Sequence, residues 1–194
     1  MGDLEKQIEE AREEIEKGGI VVFPTETAYG IAADATNRIA IEKVYEAKKR
    51  PRSKGLTAIV DSLETAEKYA ELSEYEKKVV REFMPGPLTL VAEKKDSVPD
   101  NLNKDFAFRI SSAEVAAELS QKGPITATSA NISGNETSYS VDDISEKLLE
   151  KADYVIDAGK LEDGPTSTIA AVIDGEVEIF REGPIKKNEI EKVL

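Results

Sequence analysis

The chain has 194 residues, with 26 Lys and Arg against 39 Asp and Glu, and it contains neither histidine nor cysteine. Histidine-based triads, thiolate nucleophiles, disulfides and zinc sites with imidazole or thiolate ligands are therefore excluded. Any catalysis has to use Lys, Arg, Tyr, hydroxyls, amides, carboxylates, backbone N–H groups or an oxygen-bound cation such as Mg²⁺. The net charge of −13 argues against bulk nucleic-acid binding, which depends on clustered Lys and Arg.

The composition is typical of one globular domain, which we expect to span residues 1–194. Hydrophobic residues make up 40% of the chain, enough for a sizeable core, and we find no internal repeat. The apolar stretch at 19–23 falls far short of the roughly 20 residues that a membrane helix needs. The first residues are charged and lack the apolar segment of a signal peptide. We therefore expect a cytoplasmic protein.

Apolar periodicity and turn residues predict the elements along the chain. Apolar residues spaced by four, three and four positions from Leu4 predict an amphipathic first helix that ends at two glycines. The predicted elements are, in chain order, a helix over 3–17, strands over 20–23 and 28–33, a helix over 37–48, a strand over 56–60, a helix from Ser73 to about Phe83, a strand over 88–91, a helix from Ser111 to Gln121, a strand over 125–128, a helix over 141–151, a strand over 154–157 and a hairpin of 168–173 with 176–180.

Local signals support several of these boundaries. Ser73-x-x-Glu76 and Ser111-x-x-Glu114 have the capping-box pattern that opens a helix. Asp174-Gly175 is typical of a two-residue hairpin turn. Because strands and helices interleave without a strict βαβ rhythm, the sequence predicts an α/β fold with a mixed sheet and helices packed against it.

Five positive residues and no carboxylate lie between Ala47 and Val60, in a chain that is otherwise strongly acidic. One interpretation is a solvated helix end, where cations meet the negative pole of the helix dipole. The other is an oligophosphate clamp, with Lys as a point charge and Arg as a planar fork.

Hydroxyl and amide side chains crowd the segment 126–137, which follows a predicted strand. Such residues readily form turns with their own backbone. At the carboxyl end of a strand they are also well placed to bind a ribose or a phosphate. The chain has no Walker loop, dinucleotide fingerprint or zincin motif, so a nucleotide would not be bound by those devices.

Six short motifs, read together and in order, give a more specific interpretation. They are Pro24-Thr-Glu-Thr-Ala-Tyr-Gly30, Lys48-x-Arg50-Pro51, Phe83-Met-Pro-Gly-Pro-Leu-Thr-Leu90, Thr128-Ser-Ala-Asn-Ile-Ser-Gly134, Ser167-Thr168 and Phe180-Arg-Glu-Gly183. This set resembles the YrdC-type threonylcarbamoyl-AMP synthase family over nearly the whole chain. The resemblance implies an open, twisted sheet with a concave substrate cavity, in the single-domain form of the family.

The resemblance also implies a reaction. ATP, L-threonine and bicarbonate would give threonylcarbamoyl-adenylate and pyrophosphate, and a downstream tRNA threonylcarbamoyl transferase machinery would use the product to modify adenosine beside the anticodon. Threonine would take up CO₂ or bicarbonate to form a carbamate, whose oxygen attacks the α-phosphorus of ATP. The carbamate is already anionic, so a histidine base is not required.

The same resemblance implies roles for ten residues. Lys48 and Arg50 would be the catalytic pair that holds the triphosphate, exposed in the cleft. The other expected nucleotide contacts are Arg52, Ser129, Asn131, Thr137 and Arg181. Thr25, Arg109 and Ser167 would hold threonine, the arginine pairing with its carboxylate. Mg²⁺ bridging the phosphates is expected, although the sequence indicates no protein ligand set for it.

The chain departs from the family pattern at a few positions. Met84 stands where an aromatic residue is common, Gly55 stands where proline is frequent, and Arg109-Ile-Ser-Ser-Ala113 replaces an Arg-x-Pro-x-His arrangement. The histidine that many relatives place near threonine is also absent. These departures concern how the side chain of the amino acid is read.

Two other functions compete with this one. The basic run on a concave surface could bind double-stranded RNA or tRNA, a reading that the net charge of −13 disfavours. Carbamoyl transfer is the third hypothesis, because a related domain occurs in larger hydrogenase-maturation carbamoyltransferases. Those proteins carry cysteine-bearing domains, whereas this chain has no cysteine.

Overall fold

A computed structural model of the protein describes residues 3–194. The helices are α1 (Asp3–Glu16), α2 (Arg38–Lys48), α3 (Leu63–Tyr69), α4 (Glu74–Phe83), α5 (Glu114–Leu119), α6 (Glu146–Leu149) and α7 (Lys187–Glu191), with a 3₁₀ turn at Val141–Asp143. The strands are β1 (Val21–Pro24), β2 (Tyr29–Ala32), β3 (Thr57–Val60), β4 (Ala70–Glu71), β5 (Leu88–Lys94), β6 (Phe106–Ile110), β7 (Ile125–Ser129), β8 (Tyr154–Val155), β9 (Thr168–Ile173) and β10 (Glu176–Arg181).

The strands form one mixed sheet, as the sequence predicts. Their order is β10-β9-β5-β6-β3-β7-β2-β1-β8, and β4 pairs with β5 beside this path. The pairs β1–β8, β3–β6 and β5–β9 are parallel, and the other neighbours are antiparallel. Strands that are adjacent in the sheet are therefore often distant in the sequence, and the sheet gathers side chains from the whole chain.

Hydrophobic cores lie on both faces of the sheet. The larger one contains apolar residues of α2, α3 and α4, and the smaller one is formed by α1 and α5 against the strands. In the smaller core, Ile59 and Ile125 are fully or almost fully buried. Side chains two positions apart along a strand share a face, so Thr57 and Ala127 lie on the same face as these isoleucines. There the face carries small residues and lines a cavity instead.

Most predicted elements are confirmed, with small shifts at their ends. The Ser73–Glu76 capping box is formed in both directions, and the 168–180 hairpin is present. The box predicted at Ser111 is wrong: α5 begins at Glu114 after Ala113, which makes no side-chain capping bond. The helix predicted over 141–151 is also wrong, because the segment divides into the 3₁₀ turn and the short α6.

Four elements were not predicted: α3, β4, β6 and α7. The strand β6 matters most, since it runs through the centre of the sheet with all five residues buried and carries Arg109 into the cavity. Along residues 3–194, no helix combines the length and apolarity required to cross a membrane.

Candidate active site

A cavity of about 450 Å³ opens on the face of the sheet that also carries the smaller core. Seven of the ten residues expected from the sequence line it. They are Thr25, Arg50, Arg109, Ser129, Thr137, Ser167 and Arg181. These residues come from segments spread over more than 150 positions of the chain. The structure therefore brings most of the predicted site together in one place.

Lys48 lies in the wall behind the cavity and not in the opening. Its side chain is 1% exposed, which corrects the expectation of an exposed clamp residue. Its ammonium group donates to the backbone oxygens of Ser129 and Asn131, the latter at 2.8 Å, and to Oδ1 of Asn131 at 3.1 Å. Three oxygens thus satisfy the three donors of the ammonium group, which is why the side chain turns inward.

The burial of Lys48 has an electrostatic cost. Desolvation, followed by repulsion from the nearby Arg50, lowers the pKa of Lys48 to about 7. The three oxygen acceptors oppose that change because they favour the charged form. At neutral pH the charge of this group therefore responds to any anion that binds beside it.

Arg50 reaches the cavity from the turn after α2. The helix ends at Lys49 in the left-handed conformation, with φ of 49°, and the chain then changes direction. Arg50 donates through Nε to the Lys54 oxygen and through Nη2 to the Gly55 oxygen, both at 2.8 Å. A Cβ on Gly55 would lie 2.2 Å from Cγ of Asn103, so a larger residue at this departure from the family pattern would require the Asn103 side chain to move.

Arg52 lies outside the cavity, unlike its neighbour Arg50. It forms an ion pair with Glu42 and lies 4.8 Å above the ring of Tyr45, both on α2. Its side chain is 55% exposed. The structure therefore does not bring Arg52 together with the other predicted nucleotide contacts.

The segment after β7 is held by its own side chains. Ser129 donates from Oγ to Oδ1 of Asn131 at 2.6 Å, and Nδ2 of Asn131 donates to the Asn135 oxygen at 2.6 Å. Ser129 and Thr137 line the cavity, whereas Asn131 supports the segment from behind. Both interpretations of this segment thus apply, since the turn bonds its own groups and also presents hydroxyls to the cavity.

Arg181 and Ser167 contact each other in the lining of the cavity. Arg181 donates to the Ser167 oxygen at 3.0 Å and to its hydroxyl at 3.1 Å, and Thr89 lies 2.9 Å from the same hydroxyl. Partial burial of the guanidinium and the charge of Arg109 both lower the pKa of Arg181. A Cβ on Gly183 would lie 2.6 Å from the Thr166 oxygen, so glycine is required where this segment packs beside Ser167.

Arg109 forms an ion pair that sequence reasoning did not anticipate. It donates through Nη1 to Oε1 of Glu26 at 2.7 Å, and Ser111 donates to the other carboxylate oxygen at 2.5 Å. Burial lowers the pKa of Arg109, and the carboxylate opposes that effect. An arginine remains protonated in proteins, so the pair is ionic.

Other lining residues were also missed, among them Thr57, Thr89 and Asp105. Thr57 and Thr89 are in predicted strands, and only the knowledge of which face meets the cavity could have selected them. Asp105 precedes β6, which was not predicted at all. Within residues 3–194 there is no cluster of three or more acidic side chains that could hold a metal ion by itself.

Comparison with known protein families identifies the family of this chain. The model of the Sua5/YciO/YrdC family, described as telomere recombination, matches residues 13–183. The chain therefore belongs to that family, which confirms the resemblance found in the sequence.

Individual relatives agree with this assignment. The chain is 42% identical over 188 residues to the candidate threonylcarbamoyl-AMP synthase of Methanocaldococcus jannaschii, covering 95% of this chain and 90% of the relative. It is 36% identical to the threonylcarbamoyl-AMP synthase of Pyrococcus abyssi, covering 93% of this chain but only 55% of that protein. The crystal structure of P. abyssi Sua5 complexed with L-threonine is similar to this chain, with a TM-score of 0.89 and 35% identity over 96% of this chain and 57% of that one. The names of these relatives match the enzyme class expected from the sequence.

Proposed function

We propose that this protein is an L-threonylcarbamoyladenylate synthase, which forms threonylcarbamoyl-AMP and pyrophosphate from ATP, L-threonine and bicarbonate. The observation that carries the proposal is the cavity, where three arginines and several hydroxyls converge in an acidic chain without histidine. The relatives named threonylcarbamoyl-AMP synthase and the threonine complex of P. abyssi Sua5 support the choice of substrates.

The nucleotide end of the cavity would bind and orient the triphosphate. Arg50 still has Nη1 without a hydrogen-bond acceptor among residues 3–194, and it can meet a phosphate oxygen while its other donors hold the backbone. Lys48 fixes the Ser129–Asn131 segment and adds positive charge beside it. Ser129 and Thr137 would contact the α-phosphate and ribose. These groups place positive charge and hydrogen-bond donors beside the phosphate oxygens, where negative charge is spread in the transition state. This lowers the reaction barrier without a proton transfer.

The amino-acid end would hold threonine. Thr25, Ser167 and Arg109 line the cavity and would contact the amino acid. Arg181, which we expect to contact the nucleotide, lies beside Ser167, where the two substrates would meet. The amine of threonine, once carboxylated, gives a carbamate whose oxygen bonds to the α-phosphorus as the bond to the pyrophosphate oxygen breaks. Holding both reactants in one cavity turns their encounter into an intramolecular step.

Mg²⁺ would arrive largely on the substrate. Protein-bound Mg²⁺ commonly keeps several waters and uses one or two carboxylates together with substrate phosphates. One carboxylate, that of Asp105, lines the cavity, which fits such a shared site. When bound, the ion would neutralise part of the triphosphate charge. The residues described here do the remaining work of orientation.

Omission of one substrate at a time tests the function. Pyrophosphate release by the purified chain should require ATP, L-threonine and bicarbonate together, and the adenylate should be detectable by mass spectrometry. Release without threonine or without bicarbonate would contradict the proposal. Substitution of L-serine for L-threonine would show how strictly the side chain is read.

Binding of RNA is the less supported alternative. Arg50 faces the cavity, and Arg52 is paired with Glu42, so two of the basic residues that this hypothesis needs are already engaged. Binding of tRNA that weakens steeply with salt, with no pyrophosphate release, would favour it.

We place the synthase in the cytoplasm, where its product would pass to the tRNA threonylcarbamoyl transferase machinery.

A further inference from the structure

We propose that Glu26 is a positioning residue, which holds Arg109 and the 25–28 turn in the geometry that receives the carboxylate of the amino acid. The inference rests on the proposed synthase function, because it assigns a role within the threonine end of the cavity. Glu26 would act through Arg109 and would not take part in the chemical step.

The carboxylate of Glu26 is held on both sides. Oε1 accepts from Nη1 of Arg109 at 2.7 Å, and Oε2 accepts from the hydroxyl of Ser111 at 2.5 Å. Arg109 and Ser111 are two residues apart along and just beyond β6, so both donors come from one side of the same segment. The side chains of Arg109 and Glu26 are only 8% and 18% exposed, so little water competes for these bonds.

The turn that carries Glu26 is closed by its own hydrogen bonds. The hydroxyl of Thr25 donates to the Ala28 oxygen at 2.7 Å and accepts from the backbone N–H groups of Thr27 and Ala28. The turn follows β1, and three strands separate β1 from β6 in the sheet. The contact of Glu26 with Arg109 therefore ties one wall of the cavity to the other.

Arg109 retains donors for a ligand. Arg109 lines the cavity, and its side chain donates to Glu26 through Nη1. Among residues 3–194, Nε and Nη2 have no acceptor. One fixed contact is enough to orient the plane of a guanidinium, and the remaining donors form the fork that pairs with a carboxylate. Glu26 thus prepares the fork without occupying it.

Electrostatics alone would not select a carboxylate at this position. A negative group beside Arg109 reduces the positive potential that attracts an anionic substrate. The gain has to come from geometry. The charge and the length of Glu26 are therefore distinct properties, and each can be changed by itself.

Two substitutions at one site test the proposal. E26Q keeps the length and can still accept from Arg109 and donate to Ser111, whereas E26D keeps the charge but is too short to reach both. We expect E26D to raise the KM for L-threonine about tenfold, the lower range for loss of a hydrogen bond to a charged group, with E26Q much closer to wild type. The KM for ATP should be unchanged in both. Equal KM values for threonine in E26D and wild type, or E26Q as the more impaired variant, would overturn the positioning role.

Ser111 provides a second, independent variant. Ser111→Ala removes the hydrogen bond from the Ser111 hydroxyl to the Glu26 carboxylate and should raise the KM for threonine. Ser111→Thr keeps a hydroxyl and should have a KM close to that of wild type. Ser112→Ala is the matched control, since this neighbour is exposed. The hydroxyl of Ser111 also accepts from the backbone N–H of Ala113 at 3.3 Å, but it reaches Arg109 through Glu26. Ser111→Ala should therefore have no further effect on the KM for threonine in an E26A background. An additive effect in the double variant would contradict the inference.

The outcome can be separated from that of the proposed function. Binding of L-threonine alone can be measured by calorimetry for each variant, together with circular dichroism to show that each is folded. If wild type releases no pyrophosphate but E26D binds threonine more weakly, the synthase proposal fails and the positioning role stands. If wild type is active and E26D binds threonine normally, only the positioning role fails.

Discussion

The two ends of the cavity are built in different ways. At the nucleotide end, Lys48 and Arg50 donate mainly to backbone oxygens of nearby turns. At the amino-acid end, side chains bond to side chains, as in the pairs Arg109–Glu26 and Thr89–Ser167. Cations at the first end therefore shape loops as well as carrying charge, whereas at the second end these two side-chain pairs join different segments of the chain.

Loss of Arg50 should have the largest effect. Arg50→Ala removes a cation that faces the cavity, and we expect the rate of pyrophosphate release to fall by about 10²- to 10³-fold, as for other groups that stabilise charge in a transition state. Arg52→Ala is the matched control. Arg52 pairs with Glu42 outside the cavity, so this substitution should leave the rate near that of wild type. Equal losses in the two variants would contradict the distinction between these neighbours.

The buried Lys48 should make stability depend on pH. Its pKa is lowered to about 7, so above that pH the unfolded chain binds a proton that the folded chain has released. The free energy of unfolding should therefore rise with pH, by about 1 kcal/mol between pH 7 and pH 8. Urea denaturation of wild type and Lys48→Met at both pH values measures the contribution. A rise of the same size in Lys48→Met would assign it to other groups.

Thr89 offers the smallest and most selective change. Thr89→Val removes the hydroxyl beside Ser167 at nearly constant volume, and Thr89→Ser keeps it. We expect Thr89→Val to raise the KM for threonine about threefold, the order of one neutral hydrogen bond, with little effect on ATP. Steady-state kinetics with each substrate varied would test this, and a change confined to the KM for ATP would reverse the assignment of the two ends.

The contacts of the site show how much the sequence could predict. Lys48-x-Arg50 and Ser129-x-Asn131 are short motifs of the family, so their positions followed from the resemblance. The bonds of Arg50 to the Lys54 oxygen and of Ser129 to Asn131 are local, but Lys48 bonds to Ser129 and Asn131, which lie 81 and 83 residues further along the chain. The direction of each side chain could not be inferred. The ammonium group of Lys48 turns inward to three oxygens, and Arg52 forms an ion pair with Glu42 of α2.

At the amino-acid end, the contacts join distant positions as well. Glu26 and Arg109 are 83 residues apart, and Thr89 and Ser167 are 78 apart. Arg109 was assigned to threonine through the resemblance, while the strand that carries it, Phe-Ala-Phe-Arg-Ile at 106–110, was not predicted. A strand buried on both faces lacks the alternation of apolar and polar residues that would reveal it.

The small side chains beneath the cavity have a consequence for ligand binding. Thr57, Ala107 and Ala127 come from three adjacent strands of the sheet and line the cavity floor. The floor of the cavity is thus formed by small side chains of the sheet, and the space above them is already present in the fold. We therefore expect a ligand to lose little affinity to rearrangement of the protein.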